Sequence, residues 1–232
     1  MFYWNPMYLL FALPGLLLAF WAQTKVKSAY SRFLRVPTHS GLTGLQAAQR
    51  LLESQGLGHL SVEGIPGQLT DHYDPRDKSL HLSQGVAQGD SVASLSIVAH
   101  EIGHAVQDAT NYGPLKLRSG IVPMVQVSAA IGPIIFFLGF LLGSSGLAWL
   151  GVLLFSASAV FALLTLPVER NASKRALQML TTSGLVVTRE EEAGARQVLD
   201  AAALTYVAAL VQVISTLFYY IFLLSGSSRR RR

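Results

Sequence analysis

Residues 121–168 run for forty-eight positions without an Asp, Glu, Lys or Arg. Inside a bilayer no water is available to satisfy backbone N–H and C=O groups, so only helices and closed β-barrels survive there. A helical crossing takes about 20 residues. The run is therefore long enough for two spans, and the Gly-Ser-Ser-Gly of residues 143–146 supplies a turn between them. A helical hairpin is the expected structure. Composition agrees: 51% apolar residues, 13% charged and a mean hydropathy of +0.40 are too greasy for an ordinary soluble domain.

Two further spans flank this hairpin. Residues 3–22 carry no charge, with Trp4 and Trp21 near the two ends like an aromatic belt. The basic Lys25, Lys27, Arg32 and Arg35 follow this run instead of preceding it, the reverse of a secretory signal, so a retained anchor over residues 1–22 is expected. A last span is expected over 201–224, continuing a helix that starts near Thr188, whose spacing to Glu191 is that of a capping box. The expected organisation is a span (1–22), a membrane-surface part (23–120), a two-helix hairpin (121–168), a connecting segment (169–200), a final span (201–224) and a basic tail (225–232). With four spans, residues 23–120 and 169–200 share one side of the membrane. Lys116, Arg118, Arg170, Lys174 and Arg175 lie there together with the four basic residues already named, so the positive-inside rule predicts that this side is cytoplasmic. The Arg229–Arg232 run pulls the other way.

The net charge of +5 belongs to these membrane flanks. A lipid bilayer is the partner it implies, and no nucleic-acid-binding module is recognisable. There are no cysteines, so a metal would have to use His, Asp, Glu or water. Gly132, Gly139, Gly143 and Ala157 permit close helix packing without specifying a homo-oligomer.

The polar part reads as mixed α and β. Residues 42–55 have helical periodicity (Leu45, Ala48, Leu51, Leu52) closed by Gly56, and residues 60–69 suggest a short strand with turns. Two alternating stretches in residues 68–83 flank Asp74-Pro75-Arg76-Asp77, which is hairpin-turn chemistry. Asp90 or Ser91 can cap a helix running to about Thr110.

That helix contains VAHEIGHAVQ, residues 98–107. His100 and His104 are four residues apart, nearly one above the other on an α-helix, so both imidazoles can hold one metal ion. Glu101 sits beside them, where a carboxylate can take the proton of a water that zinc has acidified towards a pKa of ~7. The plainer alternative is two histidines that merely share a face. Against it stand the small or apolar neighbours Ala99, Ile102, Gly103 and Ala105, as a buried metal helix needs. Catalytic zinc usually takes three protein ligands. Glu169, at the end of the third span and just after Pro167, fits the third place, because the hairpin returns the chain to the same side. Asp108, Glu190–Glu192 and Asp200 are its rivals, and an interfacial carboxylate at a helix start is the alternative role.

The other histidines carry weaker signals. His39 and His59 are expected in exposed loops. His72, Tyr73 or His81, in the hairpin, can contact a developing oxyanion or the substrate, although strand packing is the commoner role. The hairpin strand can also bind an extended peptide by edge pairing. Lys116 and Arg118 orient the following span, with headgroups or substrate as other partners.

The stretches 69–83, 99–107, 112–123, 167–177 and 201–210 together resemble the YugP-like neutral zinc metallopeptidases of bacterial membranes. That resemblance implies a mainly α-helical integral membrane protein with about four transmembrane helices and a small zincin-like α+β catalytic part containing a β-hairpin. It implies Zn2+ bound by His100, His104 and Glu169, with Glu101 as general base. The Glu169 segment is also similar to the E-x-x-A-D pattern of HtpX-like membrane gluzincins, but here Ser173 stands at the Asp position. Arg170-Asn171 likewise replaces a Phe-Asp pair that often follows the Glu. Both departures concern the support of the ligands and leave the ligands themselves intact. The expected activity is a membrane zinc endopeptidase acting on membrane-associated or misfolded proteins. The alternative is an inactive, zinc-stabilised scaffold or adaptor; a zinc transporter fits less well, because the spans offer few polar residues.

Overall fold

The computed structural model describes residues 6–229 and is mainly helical, with a small three-stranded sheet. Trp4 and Arg230–Arg232 lie outside the described residues. In chain order the elements are α1 (Pro6–Phe33), α2 (Gly44–Ser54), β1 (Ser61–Ile65), β2 (His72–Asp74), β3 (Ser79–Ser83), α3 (Gln84–Gln88), α4 (Val92–Ala109), α5 (Gly113–Leu141), α6 (Ser145–Thr182) and α7 (Arg189–Arg229). Four helices, α1, α5, α6 and α7, are long and apolar enough to cross a membrane. The chain forms two compact units.

Among the described residues, the first unit holds residues 6–22, Leu117–Leu166 and residues 205–229. Its side chains are arranged for an apolar solvent. Phe20, Leu141 and Leu153 are 73%, 81% and 68% exposed, which in water would be an aggregating surface and in lipid is a solvated one. Two threonines satisfy their hydroxyls along their own helix: Thr165 donates to the Phe161 carbonyl at 2.8 Å and Thr216 to the Gln212 carbonyl at 3.0 Å. Inside the unit, Phe136 is fully buried and stacks on Tyr220 at 4.1 Å between ring centroids. Gly132, Gly139 and Gly151 bring α5 and α6 into backbone contact; an added Cβ on Gly132 would meet the Phe155 nitrogen at 2.8 Å. Gly143 has φ +68° and makes the turn between these helices, which is the expected hairpin.

The helices extend beyond the apolar runs. α1 continues past Ala22 to Phe33, α5 already begins at Gly113, and α6 passes through Pro167 to Thr182. The absence of charge marks what lipid tolerates, whereas the helix itself ends only at a turn signal such as Gly184, φ +67°. Glu169 therefore sits within a continuous helix and not at a helix start.

The second unit comprises Gln23–Lys116 and Pro167–Leu204. α2 starts with a full capping box, Thr43 with Gln46, and Gly56 follows its end at φ +70°. β2 and β3 form the expected hairpin, with His72 opposite His81 and Asp74 opposite Ser79. The sheet order is β1-β3-β2, because β1 pairs with β3 in parallel, Ser61 with Ser79 through Ile65 with Ser83. Leu80 and Leu82 on one face of β3 are buried with Leu51 and Leu52 of α2, Leu95, Val98 and Ile102 of α4, and Leu180 of α6. Each such side chain contributes about 1.5–3 kcal/mol when fully buried. α4 is the helix this core surrounds; Ser91 caps it by accepting the Ser94 amide at 3.1 Å. α7 opens with the Thr188–Glu191 capping box.

Candidate metal centre

α4 sets the His100 and His104 rings 4.9 Å apart between centroids and at 87° to each other. Both Nε2 atoms face one oxygen of Glu169, His100 at 3.2 Å and His104 at 3.4 Å. One donor atom from each residue falls within a group no wider than 4.8 Å. Ligands ~2.1 Å from a tetrahedral zinc lie about 3.4 Å from one another, so the two carboxylate–imidazole separations fit such an ion, and two imidazoles with one carboxylate form a donor set typical of catalytic zinc. Glu169 is only 2% exposed. A buried carboxylate facing two imidazoles suits a site in which a cation shares the charge.

Glu169 reaches this position because α6 lies directly on α4 at Gly103. A Cβ added there would stand 2.7 Å from the Ala172 carbonyl oxygen and 3.2 Å from the Ala172 Cα. No larger residue fits this approach without moving one of the helices.

The far nitrogens of the histidines are also engaged. His100 Nδ1 lies 3.2 Å from the Ser173 hydroxyl, and His104 Nδ1 lies 3.0 Å from Gln107 Oε1. Gln107 in turn donates to the Val168 carbonyl at 2.8 Å and to Asn171 Oδ1 at 3.0 Å, and Arg175 Nε donates to the same Asn171 oxygen at 2.8 Å. Ser173 and Asn171, where this chain departs from the related patterns, thus both sit in the shell behind the histidines. Gln107 and Arg175 escaped the sequence reading. Their signal was positional: Gln107 follows His104 by three residues on an otherwise apolar helix face, and Arg175 follows Asn171 by four.

Glu101 Oε2 accepts the main-chain N–H of Tyr73 at 3.2 Å. Burial pushes the Glu101 carboxyl above its ordinary range, with His100 and His104 pulling back. The Tyr73 hydroxyl donates to Asp108 at 2.8 Å; burial and this bond raise the phenol well above its usual value. Lys78, at φ +60° in the hairpin turn, pairs with the same Asp108. Asp108 is therefore occupied in fastening the hairpin to α4.

The remaining candidates lie elsewhere. His72 and His81 stack at 4.6 Å, on the sheet face opposite to Leu80 and Leu82 and hence away from α4. His59 is exposed. His39 is exposed too, yet its backbone N–H and Nδ1 both reach Glu191, at 2.6 and 3.1 Å. Glu191 also accepts the Val187 and Thr188 amides, so its carboxylate is used up in this junction. Glu190 and Asp200 are on the exposed side of α7, and the half-exposed Glu192 pairs with Arg196 at 3.3 Å.

The family described as "Putative neutral zinc metallopeptidase" matches residues 8–225. The chain belongs to this family. It is 45% identical over 203 residues to the "Putative membrane protease YugP" of Bacillus subtilis (strain 168), an alignment covering 88% of this chain and 90% of the relative. No solved structure matches the chain. Zinc is thus the metal the family implies, and His100, His104 and Glu169 are a group able to hold it.

Proposed function

We propose that the chain is a membrane zinc endopeptidase of the H-E-x-x-H type, with His100, His104 and Glu169 as metal ligands and Glu101 as general base. The observation that carries the proposal is the convergence of both Nε2 atoms on one Glu169 oxygen, at 3.2 and 3.4 Å, one residue along α4 from a half-buried Glu101. Zinc, when bound, supplies a Lewis acid that polarises the scissile carbonyl and acidifies the attacking water. Glu101 takes one proton from that water as its oxygen bonds to the carbonyl carbon, then delivers it to the amide nitrogen as the C–N bond breaks.

Substrate is bound as an extended segment along β2. This strand is at the sheet edge, and the Tyr73 N–H points off that edge to Glu101. Main-chain groups of one residue in an antiparallel strand share a side, so the Tyr73 carbonyl is directed outward as well and can accept a peptide N–H. A three-residue edge recognises backbone rather than sequence, which suits unfolded or misfolded segments of membrane-associated proteins. The basic residues around the second unit support a cytoplasmic placement.

The test is elemental analysis and turnover on detergent-purified protein. One zinc per chain and chelator-sensitive cleavage of an unfolded protein are expected, with Glu101→Gln keeping the zinc and losing the cleavage. Zinc retained in both His104→Ala and Glu169→Ala would refute the ligand set. Zinc without turnover in the wild type would point to the scaffold alternative.

A further inference from the structure

The two histidines are held from behind by groups of different kinds. Ser173 faces His100 with a hydroxyl, which donates or accepts and so leaves the choice of proton position open. His104 faces an amide, and an amide has one end that accepts and one that donates. Which end is which follows from the surroundings. The nitrogen end of Gln107 touches the Val168 carbonyl, a group that can only accept, and Asn171 Oδ1, which Arg175 Nε holds as an acceptor because a guanidinium can only donate. Gln107 must therefore turn its oxygen towards His104, and His104 must carry a proton on Nδ1 to meet it.

We infer that Gln107 is a positioning residue that keeps a His104 proton on Nδ1, so that Nε2 is the nitrogen available to a metal, and that Val168, Asn171 and Arg175 set the direction of Gln107. The inference rests on the metal site proposed above and adds to it the element that chooses the ligating nitrogen. Gln107 is fully buried, so solvent offers it no alternative partner. The network comes from the same helix as Glu169: residues 168, 169, 171 and 175 all belong to α6. One helix thus delivers the third ligand and selects the lone pair of the second.

The test uses the full chain in detergent. Zinc affinity is measured by competition with a chromophoric chelator, and ligand geometry by the visible d–d bands of the cobalt-loaded protein. The variants are Gln107→Leu, which fills the space and accepts nothing, and Gln107→Glu, which keeps an acceptor for Nδ1–H. Melting of the chelator-stripped protein reports any general damage, which a buried change brings about whatever its role. Loss of a group behind a ligating histidine typically weakens metal binding 10–100-fold. Gln107→Leu is expected to show this loss with shifted cobalt bands, and Gln107→Glu to recover part of the affinity, because it keeps the acceptor for Nδ1–H but loses the donor to the Val168 carbonyl and Asn171 Oδ1. Wild-type affinity and spectrum in Gln107→Leu, with zinc still lost in His104→Ala, would overturn the inference while keeping the site. Equal weakening in Leu and Glu variants, in proportion to lowered melting and with unshifted cobalt bands, would also overturn it. Zinc retained in both His104→Ala and Glu169→Ala would remove the site and the inference together.

Discussion

Gly103→Ala separates local from tertiary effects on the metal centre. Gly103 is inside α4, where alanine is the better helix former by about 1 kcal/mol, so a purely local view expects stabilisation. The added Cβ would sit 2.7 Å from the Ala172 carbonyl oxygen, against an ordinary contact of 3.4 Å or more, so α4 and α6 must part by about 0.7 Å. Overpacking of this kind costs typically 1–3 kcal/mol. The larger effect falls on the centre, because zinc–ligand distances hold within about 0.2 Å and Glu169 rides on the displaced helix. We expect zinc affinity in the competition assay to fall at least tenfold, about 1.4 kcal/mol, and melting of the chelator-stripped protein to drop by several degrees. Gly113→Ala is the control, since nothing lies within 4 Å of the Cβ added there. Wild-type affinity together with unchanged or raised melting in Gly103→Ala would refute the close-approach argument.

Other outcomes follow from the same contacts. Ser173→Ala removes the partner of His100 Nδ1 and should weaken zinc by up to about tenfold, read by the same competition. Tyr73→Phe frees Asp108 from its hydroxyl bond but keeps the backbone N–H on Glu101; peptide cleavage should lose several-fold in kcat/KM with zinc stoichiometry intact. The Glu191 carboxyl, which burial alone would raise, is held at about 2 by the Thr188, His39 and Val187 hydrogen bonds. The unfolded chain binds its proton first as pH falls, so this contribution is complete above about pH 4.5 and disappears on acidification towards 2. Denaturant titrations of chelator-stripped wild type and Glu191→Gln should therefore differ most near neutrality and converge only as the pH falls to about 2; a constant gap across that range would contradict the assignment.

Much of this architecture was legible in the sequence because its signals are local. Charge-free length marks the spans, a spacing of four marks the histidine pair, and Asp74-Pro75 with Thr188–Glu191 mark a turn and a cap. Glu169 was found through the return of the hairpin, a topological argument that survives although the helix does not break at Pro167. What escaped depends on encounters between distant segments. Nothing near Ser61–Ile65 reveals that its partner is β3, running parallel and placed between β1 and β2. His72 and His81 stood as possible site contacts beside the commoner role of strand packing, because strand alternation fixes that they share a face but not which face meets α4. Gln107 was hidden because its role depends on a carbonyl and an asparagine more than sixty residues away.

The separation between His100 and Glu169 also fixes an order of events during synthesis. The two residues are sixty-nine positions apart, and nearly all of the hairpin is made in that interval. A chain growing from its N-terminus carries both imidazoles and Glu101 well before the third carboxylate exists. Until the length of α6 through Glu169 has been made and has docked at Gly103, the growing protein has a two-nitrogen site of low metal affinity. With the ligand set proposed above, hydrolytic competence would arrive only after the hairpin has been translated, so a chain not yet made as far as Glu169 would have no means of cutting itself or the proteins around it.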